Sequence, residues 1–149
     1  MRILITGTTG FVGQALISHL CTRNYSIRAA VRQLSSALPS SVEQCVIGSL
    51  SSFINWAEAL KEVDTIVHCA ARAHIMNDSV TDPLTEFRQV NTAGTLNLAR
   101  QAVDAGVNRF IFISSIKVNG ELTEGTPFSP EDKFIPSDPY GLSKYEAEQ

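Results

Sequence analysis

A tyrosine and a lysine four residues apart carry the clearest chemistry in this chain, within Pro139-Tyr140-Gly141-Leu142-Ser143-Lys144. At i and i+4 they share one face of a helix. An isolated phenol ionises near pH ~10, and an ammonium one turn away favours the phenolate, so the pair can move a proton at neutral pH. The lysine can also hydrogen-bond a ribose, giving one side chain two uses. Ser115, at the end of a strand-like run, can donate a hydrogen bond to a hydroxyl whose carbon loses hydride. Near the start of the chain, Gly7-Thr8-Thr9-Gly10-Phe11-Val12-Gly13 joins a strand-like run to an amphipathic one. Glycines 7, 10 and 13 keep side chains out of the path of a pyrophosphate. The helix that starts near Phe11 aims its free N–H groups and positive dipole end at the same place. Each feature has a bland alternative: a helix-end tyrosine after Pro139, a solvated lysine, a strand-end serine cap, glycines that serve only packing. Their order and combination favour catalysis beside a dinucleotide.

Such residues need a scaffold that gathers them at one edge. Apolar, strand-like runs cover residues 2–6, 26–31, 43–47, 65–69 and 109–115, and helical patterns fall between them. Strands that look buried on both faces and alternate with helices imply a parallel sheet. The fold class is α/β, a Rossmann-like doubly wound sheet that binds ligands at the carboxyl ends of its strands. Residues 11–22 place Val12, Ala15, Leu16 and Leu20 on one stripe. Residues 87–105 do the same with Val90, Leu96, Leu98, Ala99, Ala102 and Val103, then stop at Gly106. Residues 51–62 read as a further helix and 34–41 as a loop. Four of the six prolines lie in 121–139, which reads as an ordered loop laid over the site.

Composition bounds the partners. With 44% hydrophobic and 18% charged residues and a formal net charge of -3, the chain suits one compact domain. That sign, with scattered basic residues, argues against a nucleic-acid partner. The apolar runs are too short for a membrane span and Met1 leads directly into the first strand, so the expectation is a cytoplasmic protein. Cys21, Cys45 and Cys69 have no CxxC spacing and read as reduced core thiols. His19, His68 and His74 lack metal-ligand spacing, so no metal is expected; His68 reads as a satisfied buried ring. His74, with Arg72, lies beside the expected cofactor edge.

Five segments in a fixed order resemble one family. They are Thr6 to Gly13, His68-Cys69-Ala70-Ala71, Asn91-Thr92-Ala93-Gly94-Thr95, Ser114-Ser115-Ile116-Lys117-Val118-Asn119-Gly120, and Pro139 to Lys144. Together they resemble an extended short-chain dehydrogenase/reductase of the nucleotide-sugar epimerase/dehydratase group, over essentially the whole chain. The resemblance implies Tyr140 as acid/base, Lys144 as its partner, Ser115 as the hydroxyl on the reacting sugar oxygen, and Asn91 as a support. It implies a cofactor, NAD or NADP, held by Gly7, Thr9, Gly10, Phe11, Val12, Gly13, Ala70, Ala71, Arg72, Tyr140 and Lys144. A nucleotide-sugar substrate and a homodimeric parent protein follow from it too. On this reading, residues 1–149 are an N-terminal NAD(P)-binding domain, with the sheet's last strands and the substrate lobe beyond Gln149, and the fragment alone inactive.

Departures from the family pattern shape the rest. Where an acid usually grips the ribose 2′-hydroxyl, this chain has Val31-Arg32-Gln33. Arg32 suits a 2′-phosphate or is merely an exposed strand-end arginine, so NAD and NADP both stand. Where relatives place an aspartate by the adenine, it has Gly48-Ser49-Leu50, so Ser49 and Leu50 border that pocket. Asn119 replaces a usual tyrosine. Dehydratases of this group follow their Ser or Thr with an Asp-Glu pair, and Ile116-Lys117 cannot do that work. A UDP-sugar 4-epimerase is the leading expectation. A 4-keto-sugar reductase using NADPH and a non-catalytic dinucleotide-binding protein are the alternatives.

Overall fold

The computed structural model describes residues 1–73, 82–123, 125–132 and 134–149. Strand β1 (Arg2–Thr6) is the centre of the sheet. It pairs in parallel with β2 (Ser26–Val31) on one side and β4 (Thr65–His68) on the other. β3 (Glu43–Val46) and β5 (Arg109–Phe112) complete five parallel strands in the order β3-β2-β1-β4-β5. Parallel neighbours cannot be joined by a hairpin, so each connection crosses a face of the sheet and covers it.

Side-chain alternation divides the core into two layers. Ile3, Ile5, Ile27, Ala29, Val31 and Val67 form one, packed on Ile17 of helix α1 (Phe11–Leu20). Leu4, Ala30 and Ile66 form the other, packed on Ala59 and Leu60 of α2 (Ala57–Leu60), on Trp56, and on Leu98 and Ala102 of α4 (Gly94–Asp104). The three central strands are buried on both faces, as expected, whereas β3 and β5 are half-exposed.

Four local expectations need correction. The sheet-facing side of α1 is Gly13 and Ile17, flanked by Leu16 and Leu20, while Val12 and Ala15 are exposed. Close packing of Gly13 against the Gly7 carbonyl sets that face, not the apolar stripe alone. Residues 51–62 yield only the short α2. Ser51 Oγ accepts the Phe53 N–H (3.3 Å) and Asn55 Oδ1 accepts the Ala57 N–H (2.9 Å), local bonds that compete with a helix. Asn97 and Gln101 of α4 then donate to the freed Ile54 carbonyl at 2.9 and 2.8 Å. The helix expected over 87–105 starts earlier, at α3 (Pro83–Phe87), where Asp82 caps the Thr85 N–H. It passes through a π-helical turn, Arg88–Ala93, before becoming α4. Val103, expected on its buried stripe, is 78% exposed. Finally, Cys21 is exposed and only Cys45 and Cys69 are part-buried, so the core-thiol expectation fails for Cys21.

The end of α4 matches expectation. α4 ends at Gly106 (φ +73°), where the Val107 N–H bonds the Ala102 carbonyl and the Gly106 N–H the Val103 carbonyl, each at 3.0 Å. Paired β5 stops at Phe112, shorter than the run to Ser115, although the Ile113 N–H still reaches the His68 carbonyl at 3.0 Å. The described residues between 121 and Asp138 form neither helix nor strand. They are tied down where Asn119 Nδ2 donates to the Ser129 carbonyl (3.0 Å). Among the described residues, no helix is long and apolar enough to cross a membrane.

Leu98 is fully buried at the heart of the second layer. Leu98→Ala should therefore cost about 2–5 kcal/mol of stability, read as a lower urea midpoint with an unchanged m-value.

Candidate active site

A groove of about 1190 Å³ opens at the carboxyl ends of β1, β2 and β4. Gly7, Thr9 and Gly10 form one wall, Arg32, Ser49 and Leu50 a second, and Ala70, Ala71 and Arg72 a third. Gly7 leaves β1 with φ +69°, and a Cβ there would lie 2.6 Å from the Ala70 nitrogen. At Gly10 an added Cβ would approach only the Gly7 carbonyl, at 3.3 Å, so the turn is open towards the groove. Phe11, Val12 and Gly13 do not line the groove. They are the first three residues of α1, whose N–H groups have no partner within the helix, and neither a side-chain cap nor an acid covers them. Their contribution is backbone; the Phe11 ring itself is 94% exposed. Thr8 is buried in the turn and its Oγ1 has no hydrogen-bond partner. An open glycine turn, bare helix donors and an orphaned hydroxyl fit a pyrophosphate. Arg32 is exposed at the rim.

The second centre lies on α5 (Pro139–Glu148), which carries Tyr140 and Lys144. Asp138 caps this helix through the Gly141 N–H at 3.0 Å, and Pro139 occupies its first turn. Tyr140 is half-buried, its ring edge-on to Phe87 at 6.2 Å. Lys144 is only 1% exposed. Its Nζ donates to the Ile113 carbonyl (2.8 Å) and sits 3.8 Å from the Phe112 ring centroid. Burial pushes the ammonium pKa down to about 8, with Glu148 and Cys69 pulling the other way. Ser115 caps a single 3-10 turn, Ile116–Val118, with its Oγ accepting the Lys117 N–H at 3.3 Å. That turn packs against α5.

Asn91 joins the two centres. Fully enclosed on the π turn, it accepts the Arg72 N–H (2.7 Å) and donates to the Arg72 carbonyl (3.0 Å) at the groove wall. Its Nδ2 also donates to Ser143 Oγ (2.9 Å), and Ser143 Oγ donates to the Tyr140 carbonyl (2.8 Å). Thr92 Oγ1 bonds the Ser143 carbonyl (2.9 Å), and Arg88 pairs with Glu146 at 2.5 Å. The groove wall and the Tyr140 helix are thereby fixed to one element. His74 lies outside the described residues.

His68 is completely buried. Its Nδ1 shares a 2.7 Å hydrogen bond with Thr6 Oγ1 and its Nε2 a 2.9 Å bond with Thr95 Oγ1. Thr6 Oγ1 also accepts the Ala70 N–H (3.0 Å), and the imidazole stacks on Phe112. Burial, with Lys144 adding to it, holds the ring neutral with a pKa of about 3. Sequence patterns give no sign of Thr6, Thr95 or Ser143 as partners, because they meet their targets only through strand register and helix phase. Among the described residues, no group of three His, Cys, Asp or Glu side chains could hold a metal ion.

A five-stranded parallel sheet with a glycine turn at its carboxyl edge, followed by a docked Tyr-xxx-Lys helix, defines a nucleotide-cofactor domain of the short-chain dehydrogenase type. The chain belongs to the NAD dependent epimerase/dehydratase family, whose sequence pattern matches residues 3–149. It is 50% identical to a UDP-glucose 4-epimerase of Vibrio cholerae over 99% of its own length and 45% of that protein's. It is 33% identical to a 3-beta-hydroxysteroid dehydrogenase of Mycolicibacterium neoaurum over 91% of this chain and 37% of that one. The crystal structure of a Thermus thermophilus UDP-glucose 4-epimerase in complex with NAD superimposes with a TM-score of 0.86 at 27% identity, over 99% of this chain and 49% of that one. The chain thus spans less than half the length of these relatives.

The native pKa of His68, about 3, lies below its ordinary 6.5, so between those values only the unfolded chain binds the proton. The stability that the neutral ring contributes is complete above pH ~6.5 and is lost as pH falls towards 3. Urea titrations should show about 2 kcal/mol lost between pH ~7.5 and ~5, above the range in which ordinary carboxylates titrate. His68→Gln should remove that slope even where it lowers stability overall.

Proposed function

We propose that the full-length protein carrying this domain is a UDP-sugar 4-epimerase, with NAD in the groove and Ser115, Tyr140 and Lys144 as the catalytic set. The observation that carries this reading is the Asn91–Ser143 link, which fixes the Tyr140 helix to the wall of the dinucleotide groove. The 50% identity to the Vibrio cholerae enzyme supports it. NAD, when bound, would supply an acceptor for the hydride of the sugar carbon and a donor for its return to that carbon's opposite face. Tyr140 takes the proton of the sugar hydroxyl and gives it back. Ser115 donates a hydrogen bond that holds the sugar oxygen in line. Lys144, one turn further along α5, provides the positive charge of the pair. Its Nζ has three donors and commits one to the Ile113 carbonyl, which leaves donors for a ribose hydroxyl. Gly7, Gly10 and the first turn of α1 receive the pyrophosphate, and Ser49, Leu50, Ala70 and Ala71 border the remainder of the cofactor.

One observation favours a second reading. Arg32 stands exposed at the groove rim with no hydrogen bond or ion pair among the described residues, and a guanidinium suits a 2′-phosphate. NADPH would then serve a nucleotide-4-keto-sugar reductase that uses the same Tyr140, Lys144 and Ser115.

Incubating the full-length protein with UDP-sugars and catalytic NAD, then with UDP-4-keto sugars and stoichiometric NADPH, separates the two. Isomer formation without net cofactor consumption is the expected result; one-for-one oxidation of NADPH would establish the reductase instead. Tyr140→Phe should lower kcat by about 10²-fold or more while leaving nucleotide-sugar affinity nearly intact, and wild-type turnover in that variant would end the catalytic assignment. If Arg32 meets a 2′-phosphate, Arg32→Ala should weaken NADP(H) at least about tenfold and spare NAD(H), since a charge-assisted bond contributes about 1.5–3 kcal/mol. Equal losses for both cofactors in a fluorescence titration would return Arg32 to the solvated surface.

A further inference from the structure

Lys117 is attached to both halves of the catalytic corner. Its backbone N–H donates to Ser115 Oγ at 3.3 Å, and its ammonium lies 3.3 Å from Asp138 Oδ1. The same Asp138 oxygen accepts the Gly141 N–H at 3.0 Å, and the Asp138 carbonyl accepts the Leu142 N–H at 2.9 Å. Tyr140 lies between the cap and those two amides, so the position of Asp138 sets the direction in which α5 leaves the loop. Little space surrounds the carboxylate. A Cβ on Gly141 would come within 2.5 Å of Asp138 Oδ2 and 2.9 Å of Pro136 Cβ. Oδ2 itself is hidden from solvent and has no hydrogen-bond partner. The Lys117 ammonium is the cation against its other oxygen.

From this arrangement we infer that Lys117 is a positioning residue for the reaction, its ion pair with Asp138 holding the Tyr140 helix in register with the Ser115 turn. The inference rests on the catalytic reading of Ser115 and Tyr140 given above. Lys117 also departs from the dehydratase pattern in a useful way: the second position after Ser115 is spent on the neighbouring helix, not on the sugar. Its side chain is 43% exposed and that of Asp138 24%, so the pair adds little to global stability. Its effect belongs in turnover, where small displacements of reacting groups are costly.

The test compares Lys117→Met, Lys117→Arg, Asp138→Asn and the Met/Asn double variant in the full-length protein. Asparagine keeps the helix cap while removing the charge. Lys117→Met should lower kcat by about tenfold, with KM for the sugar nucleotide within about twofold and the melting temperature nearly unchanged. Lys117→Arg should restore most of the loss. Asp138→Asn should match Lys117→Met, and the double variant should be no worse than either, because each removes the same pair. Amide hydrogen exchange at Gly141 supplies a readout independent of activity: it should speed up in Lys117→Met and not in Lys117→Arg. Wild-type kcat with wild-type Gly141 protection in Lys117→Met would overturn the inference, as would losses that multiply in the double variant. If the wild-type protein turned over no UDP-sugar, the epimerase reading would fall, and the exchange arm would then decide the Lys117–Asp138 clamp by itself.

Discussion

Gly7 leaves the central strand in a left-handed conformation and passes so close to Ala70 that no side chain fits between them. One residue earlier, Thr6 Oγ1 takes the Ala70 N–H and meets the His68 ring, which continues to Thr95 on α4. The carboxyl ends of β1 and β4 are therefore bound together by a backbone approach and a buried polar chain. The glycine turn can open towards the groove only because it is held from beneath at this point. The next residues of the β4 exit, up to Arg72, are then delivered to Asn91, and through Ser143 to the Tyr140 helix. A disturbance at the strand ends would displace the glycine turn and the helix carrying Tyr140 and Lys144 together.

Polar groups concentrate in this corner to an unusual degree for an interior. His68, Asn91, Thr95, Ser143 and Lys144 are all buried. Such groups cost free energy unless hydrogen-bonded, and the neutral ones here are bonded to one another or to backbone. What they return is geometric: an imidazole bonded at both nitrogens or an amide bonded at both ends admits one arrangement of its neighbours. The two apolar layers supply the driving force for folding, and the polar chain selects which strand ends and which helix face come together.

The sheet was legible because a central parallel strand is mostly apolar on both faces, and the runs at Arg2–Thr6 and Ser26–Val31 announce this although β2 also buries Arg28, paired with Glu43. The glycine spacing and the Tyr140–Lys144 pair were legible for a similar reason: the residue types are scarce and their offsets are set by local geometry. Residues 51–56 were not, since Ser51 and Asn55 look like ordinary helix-start residues until their side chains are seen bonded two residues ahead. The face of α1 was misplaced by one position because glycine carries no hydropathy signal, although Gly13 makes the closest approach to the turn. The π turn and the partners of His68 depend on tertiary register, which no local pattern encodes.

Lys144 also makes the domain a site of proton exchange. Its ammonium releases a proton at about pH 8, whereas the same side chain in an open chain holds it to 10.5. Between those values the unfolded chain carries the extra proton, so mild alkali relieves the burden of a buried charge and strengthens the fold where most ionisations weaken it.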